Sequence, residues 1–165
     1  MVAGLDVDRL RDTPLFPKLP EAFREASYVL AAYDPPNLVT ASRVKGKIIA
    51  TSEKTGAPPD LIRHAAAAPI WIVARGDTPL PLTGNLANIN PLLQQTLYTR
   101  VTARIESRVQ FEAEGVCATP EAAEHLEQNL RAIATLAKLP LEVRRDGATV
   151  HVTGSASIET IAGLF

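Results

Sequence analysis

Chemistry is sought first at the three histidines, His64, His125 and His151, because imidazole can ligate metals and move protons near neutral pH. They lie far apart in sequence, and none falls in a His-x-x-x-His spacing. With only Cys117 to add, a zinc site would need ligands from distant elements. There is no Gly-x-Gly-x-x-Gly or Gly-x-x-x-x-Gly-Lys phosphate loop, so neither a metal nor a cofactor is expected. Cys117 precedes a predicted helix start, where a thiol could be activated, but it also continues the inward series Val109, Phe111, Ala113. The core reading is preferred. Glu112 and Glu114 share one strand face, as a glycosidase pair would, yet arginines across the strand account for them. Glu121, Glu124 and Glu127 form the solvated flank of a helix, and His151 is read as the cross-strand partner of Glu142.

The remaining candidate is the segment from Thr78 to Pro91. It combines proline-stiffened chain with asparagines at 85, 88 and 90, and it joins the two halves of the sequence. Junctions are common places for clefts, so Asp77, Asn85, Asn88, Asn90 and His64 are the ligand-binding candidates. The competing reading is a linker whose asparagines cap helical turns.

The elements that must hold these residues follow from periodicity and turn chemistry. Strands are predicted over 2–7, 27–33 and 38–44, with a turn at Asp34-Pro35-Pro36-Asn37 and a further short strand at 48–51. Asp60 is a candidate cap for a helix over 61–68, stopped by Pro69, and the apolar run 70–74 reads as a central strand. Two longer strands, 97–105 and 109–117, flank Glu106-Ser107-Arg108. This places Val101, Ala103 and Ile105 on one face, and on the other Arg100, Thr102 and Arg104 opposite Glu114, Glu112 and Gln110. Thr119 and Pro120 announce the clearest helix, with a predicted stripe of Ala122, Leu126, Leu130, Ile133 and Ala137. Asp146-Gly147 then predicts a hairpin that pairs Val143 with Val150 and Glu142 with His151, before a last helix capped by Ser157.

Composition sets the frame around these elements. The 165 residues are 46% apolar and 5% aromatic, with 17 Lys+Arg against 18 Asp+Glu. A chain of this length can bury roughly 68–70% of its unfolded surface, so its core does not depend on metals or disulfides. The balanced charge, without a basic block, speaks against nucleic acid as a partner. The longest apolar run, 65–74, is about half of what a bilayer-spanning helix needs. The first residues lack the basic-then-apolar pattern of a signal peptide, although a trimmed N-terminus would leave export open.

Four phrases, Val2-Ala-Gly-Leu-Asp-Val-Asp-Arg-Leu-Arg-Asp-Thr-Pro-Leu-Phe16, Trp71-Ile-Val-Ala-Arg-Gly-Asp77, Leu82-Thr-Gly-Asn-Leu-Ala-Asn-Ile-Asn90 and Gly115-Val-Cys-Ala-Thr-Pro-Glu-Ala-Ala123, resemble a group of uncharacterised bacterial proteins, often predicted to be exported. The resemblance implies repeated strand-helix units over most of the chain and carries no catalytic residue with it.

The sequence therefore predicts an α+β protein with antiparallel sheets, helices on one face, and two overlapping ferredoxin-like, ββα-containing repeats. The expected division is a first unit over 1–76, a linker and short helix over 77–96, and a second unit over 97–165. A non-enzymatic binding or assembly module is expected, using the open polar sheet face or the 78–90 junction. The alternative is an enzyme with a cleft at 77–90. Sheet edges at both ends of the chain further suggest a homodimer through an edge or face.

Overall fold

A computed structural model of the chain describes residues 1–34, 37–45, 47–50, 64–77, 90–136 and 140–159. Among these residues, nine strands form one sheet: β1 (Val2–Asp6), β2 (Tyr28–Asp34), β3 (Asn37–Val44), β4 (Lys47–Ala50), β5 (Ile70–Arg75), β6 (Tyr98–Ile105), β7 (Val109–Val116), β8 (Leu141–Asp146) and β9 (Thr149–Ala156). Their order is β4-β3-β2-β1-β5-β6-β7-β9-β8. Every pairing among the described residues is antiparallel. The apolar run at 70–74 is accordingly the central strand, and its pairing with β6 carries one sheet across the expected unit boundary. The α+β antiparallel architecture stands, whereas this topology does not confirm the ferredoxin-like repeats. A ferredoxin-like unit sets its first strand beside its third, whereas here β1 pairs with β2, and β5, β6 and β7 neighbour one another in chain order.

Among the described residues, few helices accompany the sheet. They are α1 (Glu21–Arg24), α2 (Asn90–Leu93) and α3 (Pro120–Leu136), with 3-10 turns at Asp8–Leu10 and Phe16–Lys18. The prolines at 14, 17 and 20 explain why 8–26 breaks into turns rather than one helix. In α3, the Thr119 hydroxyl accepts the Ala122 amide at 3.2 Å, so the predicted cap is present. The buried stripe of α3 is Ala123, Leu126 and Ala134, flanked by Leu130, and Ile133 is 42% exposed. Relative to this face the predicted stripe is rotated toward Ile133, and its last member, Ala137, lies outside the described residues. Residues at 123, 126, 130 and 134 follow the 3.6-residue period as well as the predicted set does, and periodicity alone does not choose between them.

Three residue clusters lie on the sheet face under α3 and the N-terminal turns. Cys117, Ala123, Leu126, Val143, Val150 and Val152 form one. Leu10, Ile105, Val109 and Ile158 form the second, and Val7, Ala26 and Val29 the third. The expected cover on one face is incomplete as a description. Val73 stands directly opposite Arg100, so it belongs to the other face, where it packs with Val2, Trp71 and Ala65. The turn at 64–68 therefore covers the β1–β5 part of that second face. Trp71 is 1% exposed there, and its Nε1 donates to the Tyr28 hydroxyl at 2.8 Å. Gly4, its direct partner on β1, leaves room for the indole, since a Cβ at that position would overlap the Trp71 ring.

The β8–β9 hairpin differs from its prediction by two residues. The loop is Gly147-Ala148, closed by Asp146 opposite Thr149. Gly147, with φ of 55°, occupies the first loop position, where a II′ turn requires a positive φ. A shift of two keeps every inward residue inward, so the apolar pattern is satisfied equally by both registers. It does change partners: Val143 faces Val152, and Glu142 faces Thr153 rather than His151.

Candidate functional site

The β6-β7-β9-β8 part of the second face carries polar side chains in successive rows. Arg100, Glu114, His151 and Arg144 form one row, and Thr102, Glu112, Thr153 and Glu142 the next. Arg104, Gln110 and Ser155 form a third. Alternation along each strand places these groups together, because their neighbours in sequence supply the core beneath α3.

The charges are partly matched within the face. Arg100 pairs with Glu114 at 2.9 Å, and the two side chains are 29% and 23% exposed. His151 Nδ1 approaches the same Glu114 oxygen at 3.8 Å, which replaces the expected His151–Glu142 pair. Arg144 instead donates to Glu142 at 2.8 Å. Arg104 and Glu112 enter no ion pair among the described residues, and both are exposed. They flank a depression of about 430 Å³ that is also lined by Thr102, Gln110, Glu142 and Ser155. A second depression of about 430 Å³ adjoins it over Glu142, Arg144, Asp146 and His151. A smaller one, about 70 Å³, lies over Arg100, Glu114 and His151.

The junction candidates are placed separately. His64 is exposed on the turn that carries Ala65, Asp77 pairs with Arg75, and Asn90 begins α2. Asn85 and Asn88 lie outside the described residues, as does most of the 77–90 segment. None of the three polar-face depressions includes His64, Asp77 or Asn90. Among the described residues, no three His, Cys, Asp or Glu side chains converge as a metal site. Cys117 is 3% exposed within the core, and burial pushes its thiol pKa up, opposite to what a nucleophile needs.

Sequence reasoning places the β6–β7 charge ladder and puts Glu142, Arg144 and His151 on the outward face of the hairpin, but it does not bring the two together, because it does not set β9 beside β7. The alternation Thr149, His151, Thr153, Ser155 was available as a signal, but the adjacency of β9 to β7 spans an intervening helix and a hairpin. No local pattern specifies that adjacency.

Fold and face together define an α+β sheet protein with an open surface of mixed charge. Comparison with protein-family models, curated proteins and solved structures finds no match. Among the described residues, no helix is long and apolar enough to cross a membrane.

Proposed function

We propose that the chain is a non-enzymatic binding module whose contact surface is the polar face of β6, β7, β9 and β8. The observation that carries this reading is Arg104 and Glu112, which have no ion-pair partner among the described residues and stand at the margin of a depression rich in hydroxyl and carboxylate groups. Exposed charges that serve only solubility do not need a shared concavity. The ligand that fits is polar and of mixed charge: an anionic group for the Arg104 guanidinium, and donors for Glu112, Glu142 and the Thr102 and Ser155 hydroxyls. The rigid strands hold these groups in fixed positions, which lowers the ordering cost of binding.

A thermal-shift panel of amino acids, short charged peptides and sugar acids tests the proposal. A compound at about 100 times its Kd stabilises the native state by about 2.7 kcal/mol. For a domain of this size that is a rise of roughly 5–11 °C. The double variant Arg104→Ala, Glu112→Ala should keep the unliganded Tm within about 2 °C and lose the response. An undiminished response in the double variant would place the contact surface elsewhere, with the 77–90 cleft of the enzyme reading as the next candidate.

A further inference from the structure

We propose that β8 is a latent pairing edge for a second copy of this chain, held closed by Arg131 of α3. β8 is a terminal strand of the sheet. Counting from the hairpin's closing pair, Asp146 opposite Thr149, hydrogen-bonded and non-bonded pairs alternate, so Val143 and Arg145 turn their backbone groups away from β9. Such an outward row is a template for another strand.

The sequence of β8 fits a second β8. In an antiparallel pairing centred on Val143, Glu142 of each copy faces Arg144 of the other, and the two Val143 residues exchange amide and carbonyl hydrogen bonds across the axis. The arrangement is isologous and closes as a two-fold dimer. Within one chain, Arg144 is already bonded to Glu142, so pairing exchanges one partner for its equivalent.

The central hydrogen bond of that pairing is occupied in the single chain. Arg131 Nη2 donates to the Val143 carbonyl at 3.0 Å. Glu127 fixes the guanidinium in place through a contact of 2.7 Å, and it also accepts from Arg145 Nε at 3.1 Å. The Glu127 side chain is only 16% exposed, so this carboxylate is held between helix and strand rather than swinging in solvent. A surface ion pair of this kind contributes little stability by itself. Its position on an outward carbonyl gives it a different consequence, which is to block strand addition.

The test is the mass of the full chain by light scattering across a concentration series, together with amide exchange at Val143. Wild type should be monomeric at this edge. Arg131→Ala should double in mass as concentration rises, with slowed exchange of the Val143 amide. Adding Glu142→Arg should return it to monomer by setting arginine against arginine. Adding both Glu142→Arg and Arg144→Glu should restore the dimer, because complementarity returns. If Arg131→Ala is poorly folded, Arg131→Met keeps the aliphatic stem and should behave in the same way. A folded Arg131 variant that stays monomeric overturns the proposal. So does a wild-type dimer with a protected Val143 amide.

Discussion

Gly4→Ala is a sharp test of how the central strands pack. Gly4 stands opposite Trp71 on one side and Leu30 on the other, and a Cβ there would overlap the indole at Nε1 and Cε2 and press on the Tyr28 hydroxyl. The ring is 1% exposed and is bounded by Val2, Ala65 and Val73, so it has little room to retreat. Overpacking of this kind costs about 1–3 kcal/mol, and displacing the indole also puts the Trp71–Tyr28 hydrogen bond at risk, about 1 kcal/mol more. For a domain of this size the combined cost lowers Tm by roughly 4–16 °C. Trp71 is the single tryptophan in the chain, so its fluorescence reports on this site alone. Thermal unfolding followed by circular dichroism should show the lower Tm, and native emission should shift to the red. Trp71→Leu in the Gly4→Ala background should be less than additive, with a coupling of about 0.5–3 kcal/mol. An unchanged Tm and emission maximum in Gly4→Ala would refute the packing argument.

Three other outcomes follow from the same structure. Leu126→Ala, in the buried stripe of α3, should cost about 2–5 kcal/mol in chemical denaturation, whereas Ile133→Ala should cost under about 1 kcal/mol; equal losses would restore the stripe first read from sequence. Cys117 should react with a thiol reagent far more slowly in the native protein than in denaturant, because it is buried and its pKa is raised; equal rates would contradict its core placement. The Glu121 carboxyl is held below the usual glutamate range by its own backbone amide and then by the Thr119 hydroxyl. A depressed folded pKa contributes stability above the unfolded value, near 4.5, that is lost as pH falls through the folded one. Wild type should therefore exceed Glu121→Gln in Tm at neutral pH, and the gap should close in acid; a gap independent of pH would rule this out.

Much of the fold was legible because its signals are local. The period-2 alternation of 98–116 set both the strands and their register about Glu106-Ser107-Arg108, and the observed pairs Arg100–Glu114 and Thr102–Glu112 are those predicted. The Thr119 cap was equally local. What escaped was degenerate or non-local. Asp146-Gly147 permits two hairpin registers with identical inward faces, and the predicted one missed by two residues. The stripe of α3 admits two rotations of similar hydrophobicity, and only contact with Val143, Val150 and Val152 selects one. Strand order decided which polar residues meet. The face is completed by β9 and β8 docking beside β7, a long-range choice without a short motif. The small residue at Gly4 carried its own signal, a glycine inside a strand, which marks a close approach from a neighbour.

The central claim is that the mixed-charge face of β6, β7, β9 and β8 is the contact surface. Its most direct test is an amide chemical-shift map of the wild-type chain with the panel compound that raises Tm the most. Shifts concentrated at Thr102, Arg104, Gln110, Glu112, Thr153 and Ser155, and abolished by Arg104→Ala, Glu112→Ala, are the predicted result. Shifts centred on His64, Asp77 and Asn90, with this face silent, would contradict the account.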